Sequence, residues 1–367
     1  MSCILIAGSG TGGHIFPAIA VAKELKRLAK DVRLIFVHAG RKRFDDSGFR
    51  ELGEVVWVPG TGMPRGFSLK LPAFLFQTLR SLFRSLKIIK KYSPDAAVGF
   101  GNFGSYGALR AAAFRKIPVF LHEANSIPGK ANRLLAKSAD CIGVNFPGAG
   151  KHFAGRRFEI VGMPIRGEFS ESPNHEEAIR YYGLDAANPV LLVTGGSQGA
   201  RHINEVVCDS LPALKEFRVQ IIHLAGKDGY EKARSAHEAV GIRGCVKAFE
   251  MNMKMAFDAA DIAVSRSGAS SLAEIAATGK PSILVPYPFA TDDHQLYNAK
   301  YLADNNAALL LMDKNLNVES LVENVKLLLT DEAKRREMSS SCARLFMPDS
   351  AGKMAHIIYD MCHKKDR

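Results

Sequence analysis

The sequence predicts an α/β protein with two Rossmann-like domains, each built on a doubly wound parallel sheet. Short β-branched runs alternate with longer helical patterns, the alternation restarts near residue 190, and both halves open with an apolar strand that leads into a glycine-rich turn. Such alternation implies right-handed βαβ units. The predicted strands are Cys3–Ala7, Arg33–Val37, Ala96–Gly99, Val119–His122, Val190–Thr194, Gln220–Leu224, Ile262–Ser265 and Ser282–Pro286. The predicted helices include Phe16–Leu28, Ala131–Ala136, His202–Leu211, Ser271–Thr278 and Gln295–Asn305.

The domain boundary is predicted at Val161–Arg166, where glycine and proline interrupt the pattern and the polar stretch Glu168–Glu177 follows. Residues 1–164 then form an N-terminal domain, and residues 165–344 form a C-terminal domain. Ligands of doubly wound sheets bind at the carboxyl ends of the strands. We therefore expect the two domains to face each other across a cleft that holds the functional site.

Composition narrows the class of protein. The chain has 367 residues, of which 47% are hydrophobic, enough for the cores of about two domains. Its formal net charge of +12 suits nucleic acid, an anionic membrane or a phosphorylated substrate. No nucleic-acid recognition motif accompanies this charge, so we expect no nucleic-acid partner. The six cysteines form no C-x-x-C pair, which favours reduced thiols and the cytoplasm.

Two further features concern membranes and export. The first predicted strand starts at Cys3, which leaves no room for a signal peptide. No run of about 18 uncharged apolar residues predicts a membrane-spanning helix. We expect that the protein lies on a membrane if it meets one.

The first glycine-rich turn has the spacing G-x-G-x-x-G at Gly8, Gly10 and Gly13. Glycines let the backbone approach an anion, while the following helix offers free N–H groups. Dinucleotide-dependent dehydrogenases share the spacing, but an NAD enzyme needs an acidic residue near the end of the second strand. The segment His38–Arg43 contains none, although its basic residues leave an NADP-binding interpretation open.

His14 follows this turn directly, at the start of a predicted helix. A lone histidine is more commonly structural. At a strand-to-helix turn, however, an imidazole can act as a general base near neutral pH, and a helix N-terminus disfavours its protonated form. His14 is therefore a candidate for the catalytic base.

The second half repeats this design. The turn Gly195–Gly199 offers backbone donors and the Ser197 hydroxyl to a phosphate, although a tight βα turn also needs glycine for geometry alone. The segment Ser265–Ser271 supplies small hydroxyl-bearing residues that cap the next helix and leave donors for a diphosphate. Glu274, one turn into that helix, is placed to accept two vicinal ribose hydroxyls; as a solvated helix glutamate it would need no function.

Two remaining segments allow alternative interpretations. Asp292 and Asp293 are adjacent and lack an accompanying histidine or carboxylate cluster, so we predict that they N-cap the helix from Gln295 and that no metal is needed. The segment Leu69–Lys91 combines an apolar stripe at helical spacing with interleaved arginines and lysines. It fits a helix packed on the sheet, and equally an amphipathic face that contacts anionic lipid.

Taken together, these motifs resemble those of the bacterial peptidoglycan GlcNAc transferases, the MurG family, which convert lipid I to lipid II. The resemblance covers about Ile4 to Leu310 and rests on an ordered set of motifs. The matching segments are Gly10–Ala20, His122–Asn125, Pro128–Arg133, Gly195–Arg201, Ser265–Gly268 with Glu274, and Asp293–Gln295.

The resemblance implies a GT-B fold and an inverting, metal-independent transfer of GlcNAc from UDP-GlcNAc. The acceptor would be the MurNAc 4-hydroxyl of undecaprenyl-pyrophosphoryl-MurNAc-pentapeptide. It also implies that a C-terminal helix within residues 345–367 completes the N-terminal domain. Further implied partners are an anionic membrane surface and other cell-wall synthesis proteins. The enzyme would be peripheral, at the cytoplasmic face of the inner membrane, and would serve peptidoglycan synthesis, cell shape and cell division.

The family's roles can be carried onto matching positions. The resemblance implies a UDP-GlcNAc site formed by Thr11, Gly12, Gly13, Asn125, Arg166, Ser197, Phe249, Glu250, Met253, Ala269, Ser270, Ser271, Glu274, His294 and Gln295. Within it, Glu274 would bind the ribose, Arg166, Phe249 and Met253 would surround the uracil, and Asn125, His294 and Gln295 would hold the GlcNAc. The acceptor diphosphate would contact Gly13, Gly101, Asn102, Gly104 and Ser105.

Four positions depart from the family pattern: Ser9, Asn102, Ala124 and Met163. They leave the donor motifs intact and put the acceptor side in question. The alternatives are another GT-B transferase with a different lipid or small-molecule acceptor, a UDP-GlcNAc 2-epimerase, and a non-catalytic UDP-sugar-binding subunit.

Overall fold

The computed structural model describes residues 2–8, 12–40, 47–60, 62–64, 69, 71–196 and 199–363. The chain divides into two compact units. The N-terminal unit comprises Met1–Arg166 and Asp349–Arg367, and the C-terminal unit comprises Gly167–Pro348. Each unit contains its own sheet and its own hydrophobic core.

The elements alternate along the chain as the sequence predicts. The strands are β1 (Cys3–Ala7), β2 (Arg33–Ala39), β3 (Glu54–Val58), β4 (Ala96–Gly99), β5 (Val119–Glu123), β6 (Cys141–Val144), β7 (Phe158–Ile160), β8 (Val190–Thr194), β9 (Gln220–Leu224), β10 (Gly244–Lys247), β11 (Ile262–Ser265), β12 (Ser282–Leu284) and β13 (Leu309–Leu310). The α-helices are α1 (Gly12–Leu28), α2 (Ser47–Arg50), α3 (Leu71–Tyr92), α4 (Phe103–Phe114), α5 (Lys130–Leu135), α6 (His175–Tyr182), α7 (Arg201–Lys215), α8 (Tyr230–Val240), α9 (Met253–Ala259), α10 (Ala269–Thr278), α11 (His294–Asp304), α12 (Val318–Thr330), α13 (Glu332–Leu345) and α14 (Ser350–His363).

The sheet of the N-terminal unit is parallel and doubly wound. Within the described residues it has seven strands in the order β3-β2-β1-β4-β5-β6-β7. The order reverses between β1 and β4, whose register pairs Ala7 with Gly99. β1 is buried along its whole length, as expected for a strand with helices on both faces of the sheet. The carboxyl ends of β1 and β4 thus form the switch point at which such sheets bind ligands.

The sheet of the C-terminal unit follows the same plan. In the part of the chain that the structure describes, it has six parallel strands in the order β10-β9-β8-β11-β12-β13. Its order reverses between β8 and β11, where Thr194 pairs with Ser265. The glycine-rich turn Gly195–Gly199 and the segment Ser265–Ser271 therefore follow neighbouring strands at the same edge of the sheet. The prediction of two Rossmann-like units with parallel sheets is confirmed.

The last helix, α14, closes the core of the N-terminal unit. Met354 and Ile358 on α14 are fully buried in the same apolar cluster as Val21 and Leu25 on α1. These two helices come from opposite ends of the chain. The core that supports His14 therefore needs both ends of the chain.

Two helix starts differ from the prediction. Asp293 precedes α11, but its φ of 51° is left-handed and its side chain makes no capping hydrogen bond. The predicted acidic N-cap is wrong, because a capping side chain needs an extended backbone at that position. The N-cap of α10 is Gly268, which has no side chain, so the predicted hydroxyl cap is wrong there as well.

Replacing Ile358 by alanine should destabilise the N-terminal unit. Deleting a buried isoleucine side chain costs about 2–5 kcal/mol, because the cavity refills only partly. Chemical denaturation, followed by hydrogen exchange in α1, measures the loss. The exposed Asp360→Ala on the same helix is the control. Equal stability of the two variants would contradict the packing of α14 on α1.

Candidate active site

His14 lies in the first turn of α1, at the switch point of the N-terminal unit. Its Nδ1 is 2.6 Å from the carbonyl oxygen of Phe100, which follows β4. A carbonyl only accepts a hydrogen bond, so Nδ1 carries the proton and Nε2 keeps its lone pair. The backbone thus selects the tautomer in which Nε2 is the basic nitrogen.

The surroundings favour the neutral form of this imidazole. Burial lowers the pKa of His14 below its ordinary value, and the hydrogen bond to Phe100 opposes that shift. Burial also lowers the pKa of neighbouring His122 to about 4, with His14 contributing in the same direction. His122 Nε2 donates to the Gly162 carbonyl at 2.9 Å. His14 is therefore an unprotonated base near neutral pH.

The loop after β4 brings predicted acceptor residues beside His14. Gly101 has a φ of +85°, and a Cβ added there would lie 3.5 Å from His14 Cε1. Asn102 has φ 61° and ψ 161°, a region that almost exclusively glycine adopts, and its Oδ1 accepts a 2.8 Å hydrogen bond from the Gly104 N–H. The buried Ser105 hydroxyl bonds to the carbonyls of Gly101 and Asn102, each at 2.9 Å. Ser105 thus holds the loop closed.

A buried carboxylate, Glu123, organises the loop after β5. Its Oε1 accepts from the Asn125 N–H at 2.9 Å, and its Oε2 accepts from the Gly129 N–H at 3.0 Å and from Asn132 Nδ2 at 2.9 Å. Burial raises the pKa of Glu123, while these donors lower it. Asn132 Nδ2 also donates to the His122 carbonyl at 2.9 Å, so the network reaches the vicinity of His14. Glu123 therefore fixes the backbone of Asn125, a predicted sugar-binding residue.

The donor turn of the C-terminal unit is partly described. Gly196 and Gly199 have φ values of +76° and +73°, and the Gly199 N–H donates to the Gly196 carbonyl at 3.0 Å. A Cβ at Gly199 would lie 2.4 Å from the Ala225 carbonyl oxygen, so only glycine fits there. α7 then begins at Arg201 without a side-chain cap. Ser197 lies outside the described residues, as does Thr11 in the first turn.

α10 begins at the other side of this switch point. Ala269, Ser270 and Ser271 form its first turn, and Gly268 leaves their N–H groups without a side-chain cap. Glu274 follows one turn later and is partly exposed. Free N–H groups at a helix start are suited to a phosphate.

The residues predicted around the uracil are divided between the two units. Phe249 is half-exposed, and Met253 opens α9 in the C-terminal unit. Arg166 belongs to the N-terminal unit, where its guanidinium lies 5.2 Å from the ring centre of Phe16. Glu250 is buried.

Glu250 is held by protein donors. Its Oε2 lies 2.6 Å from Lys247 Nζ and 3.0 Å from the Tyr182 hydroxyl, and its Oε1 accepts from the Asn252 N–H at 2.8 Å. These contacts fix the loop that carries Phe249.

The predicted sugar-binding pair His294 and Gln295 opens α11. His294 Nδ1 donates to the Thr291 carbonyl at 2.8 Å, which leaves Nε2 as an acceptor. Gln295 Oε1 accepts from the Tyr287 N–H at 3.0 Å, and the Gln295 carbonyl accepts from the Ser267 hydroxyl at 2.8 Å. Both residues are thus anchored to the loops that surround the start of α10.

Sequence reasoning missed Glu123, Asn132 and the Phe100 carbonyl. The first two lie inside the motifs His122–Asn125 and Pro128–Arg133, so their position in a motif was the available signal. The carbonyl carries no signal in a sequence. No group of three or more His, Cys, Asp or Glu side chains that could hold a metal occurs among the described residues.

Two family models match the chain. The glycosyltransferase family 28 N-terminal domain matches residues 4–144, and the C-terminal domain of the same family matches residues 190–354. Together with the two Rossmann-like units, these matches define a GT-B glycosyltransferase.

Similarity to individual proteins identifies the family within this class. The UDP-N-acetylglucosamine--N-acetylmuramyl-(pentapeptide) pyrophosphoryl-undecaprenol N-acetylglucosamine transferase of Desulforamulus reducens is 34% identical over 94% of this chain and 95% of its own. The protein of that name from Protochlamydia amoebophila is 37% identical over 94% of this chain and 92% of its own. The crystal structure of Acinetobacter baumannii MurG has a TM-score of 0.76 and 26% identity, covering 98% of this chain and 100% of its own. The chain belongs to this family of N-acetylglucosamine transferases.

The state of His14 can be measured directly. We expect ¹⁵N NMR to show the Nδ1–H tautomer and a titration midpoint below 6.5, the ordinary value, because burial disfavours the imidazolium. His14→Gln assigns the signal by removing it. A midpoint at or above 6.5, or the Nε2–H tautomer, would contradict the bond to Phe100.

Proposed function

We propose that this protein transfers GlcNAc from UDP-GlcNAc to the MurNAc 4-hydroxyl of undecaprenyl-pyrophosphoryl-MurNAc-pentapeptide, forming a β-1,4 bond with inversion. The observation that carries the proposal is the identity of 34% over 94% of the chain to a transferase named for these substrates. The placement of His14 at a switch point, with Nε2 as the basic nitrogen, supports the chemistry.

The reaction is a single displacement. His14 Nε2 accepts the proton of the acceptor hydroxyl while its oxygen forms a bond to the anomeric carbon. The bond from that carbon to the UDP oxygen breaks, and the electron pair leaves with UDP. Negative charge grows on the leaving diphosphate, where fixed N–H dipoles at the starts of α7 and α10 stabilise it without a protein-bound metal.

We propose donor contacts at the positions that match the family's motifs. Glu274 accepts the ribose hydroxyls, and Ser197 with Ala269–Ser271 holds the diphosphate. Phe249 offers an exposed ring for stacking on the uracil, where Arg166 and Met253 join it. Asn125, His294 and Gln295 hold the GlcNAc. Glu250 contributes by holding the Phe249 loop, since its oxygens already accept protein hydrogen bonds.

The acceptor contacts lie around His14. Gly12 and Gly13 at the start of α1, together with Gly101 and Asn102, offer backbone groups to the acceptor diphosphate, and the Gly104 N–H holds the loop by donating to Asn102 Oδ1. Ser105 stabilises this loop because its buried hydroxyl bonds to the carbonyls of Gly101 and Asn102. In this proposal the acceptor diphosphate lies beside the base.

Helix α3 supplies the membrane contact in this proposal. One face of α3 is buried, and a Cβ at Gly107 of α4 would lie 2.4 Å from the Ser81 hydroxyl oxygen. The other face carries apolar side chains that are 52–64% exposed, namely Leu75, Phe76, Leu79 and Phe83. Exposed arginines and lysines accompany them. Such a face suits the anionic lipid at the cytoplasmic side of the inner membrane.

None of the helices among the described residues is long and apolar enough to cross a bilayer. We propose that the protein meets its lipid-linked acceptor through a surface contact of α3, because of the exposed apolar and basic side chains on that helix. Roles in cell shape, in cell division and in complexes with other cell-wall synthesis proteins belong to the same proposal.

A transfer assay tests the activity. Labelled UDP-GlcNAc and lipid I should give labelled lipid product and UDP, and His14→Ala should reduce kcat by about 10²–10⁴, the contribution of a positioned base. His356→Ala, an exposed histidine on α14, is the control and should keep wild-type turnover. Turnover of UDP-GlcNAc without acceptor would point to an epimerase. Near-wild-type kcat in His14→Ala would remove the base assignment.

A matched pair of surface variants tests the membrane contact. Leu79→Glu on α3 should weaken binding to anionic vesicles by about tenfold or more, because an apolar contact is lost and a negative charge is added. Leu327→Glu on α12 changes an equally apolar side chain, 41% exposed, in the other unit. Vesicle sedimentation should show a smaller bound fraction for Leu79→Glu than for Leu327→Glu. Equal binding would refute the assignment of the α3 face.

A further inference from the structure

Asp313 lies in a short 3-10 turn just after β13 and joins two elements of the C-terminal unit. Its Oδ1 is 2.5 Å from Arg266 Nη1, and its Oδ2 is 3.0 Å from His202 Nδ1. The side chains of Arg266 and Asp313 are only 9% and 15% exposed. The carboxylate accepts both bonds, so His202 donates through Nδ1–H.

Arg266 belongs to the segment that connects β11 to α10. Besides Asp313, its Nη1 donates to the carbonyls of Val285 and Pro286, at 3.2 Å and 3.1 Å, after β12. The guanidinium therefore points into the protein, where its partners follow β12 and β13. Arg266 braces the segment that sets the start of α10.

His202 belongs to the other side of the switch point. It lies in the first turn of α7, directly after the turn Gly195–Gly199. One carboxylate thus holds a residue from each of the two segments that end in free helix N–H groups. These segments follow β8 and β11, the strands between which the sheet order reverses.

We propose that Asp313 is a positioning residue that fixes the spacing between the starts of α7 and α10, so that both meet the diphosphate of a nucleoside-diphosphate ligand. The inference rests on the proposed function, which places the UDP diphosphate there. Preorganised N–H groups stabilise charge only when their distance from it is set in advance. Asp313 touches no ligand in this assignment and acts through Arg266 and His202.

The C-terminal unit also contains a matched control. Lys254 Nζ and Asp258 Oδ2 form a second buried ion pair at 2.6 Å, with side chains 9% and 3% exposed. Asp258 lies on α9, which leads into β11, at the amino end of that strand. Breaking either buried pair should lower stability, because the remaining cation is left uncompensated. Only the pair at the carboxyl edge should affect the diphosphate site.

The experiment compares Asp313→Asn with Asp258→Asn in the full-length protein. Isothermal titration with UDP should show about tenfold weaker binding for Asp313→Asn, because misplaced N–H groups no longer donate hydrogen bonds to the charged diphosphate. For Asp258→Asn the affinity for UDP should change by about twofold or less. Uridine, which lacks the diphosphate, should bind both variants as it binds the wild type. Thermal unfolding should show a lower Tm for both variants.

A double-mutant cycle tests the shared carboxylate. His202→Ala should weaken UDP binding a few-fold in the wild type and have no effect in the Asp313→Asn background. Additive effects, unchanged UDP affinity of Asp313→Asn, or equal loss of uridine and UDP affinity would each overturn the assignment. If the wild-type protein fails to bind UDP at all, the proposed function fails instead.

Discussion

The hydrogen bond from His14 Nδ1 to the Phe100 carbonyl joins the two strands between which the N-terminal sheet reverses its order. β1 leads into the helix that carries His14, and β4 leads into the loop that carries the carbonyl. A neutral carbonyl orients the imidazole without stabilising its cation as a carboxylate would. Burial lowers the pKa of His14 more than this hydrogen bond raises it, so the imidazole is neutral and Nε2 is free to accept the hydroxyl proton in the proposed reaction.

In the C-terminal unit, the presence of a side-chain cap at a helix start depends on the position of the preceding strand in the sheet. The helices after the four central strands make no side-chain cap hydrogen bond at their N-cap residues, which are Ala200, Gly229, Gly268 and Asp293. The helices after the two edge strands of the described sheet, β10 and β13, are capped by Asn252 and Asn317. Relative to a capping side chain, alanine at the N-cap costs about 0.5–2 kcal/mol of stability, and glycine costs only about a few tenths of a kcal/mol. The helices that follow the central strands thus lack side-chain caps, and their first N–H groups remain available for an anion.

The sequence predicts the central strands well, because continuous β-branched runs such as Val190–Thr194 are buried on both faces. It misses shorter or outlying strands, for example β7, which is partly exposed, and β13, which has two residues. The glycine turns and His14 are readable because their chemistry is local. Glu123 and Asp313 are not, since their partners are distant in sequence and meet only after folding. The cap predicted at Asp293 fails because composition does not reveal a left-handed φ.

The switch points of the two units differ in which groups are charged, and this difference bears on the proposed reaction. At the N-terminal switch point burial lowers the pKa of His14 and of His122, so both imidazoles are neutral and the Nε2 lone pair of His14 is available. At the C-terminal switch point the guanidinium of Arg266 is neutralised by Asp313. In the proposed site, N–H dipoles, equivalent to roughly half a charge at each helix start, then contribute to the positive potential offered to the diphosphate. Dipoles stabilise a leaving diphosphate as its charge grows and hold the departed product less tightly than a full cation would. If UDP binds as proposed, this arrangement favours its release after each transfer.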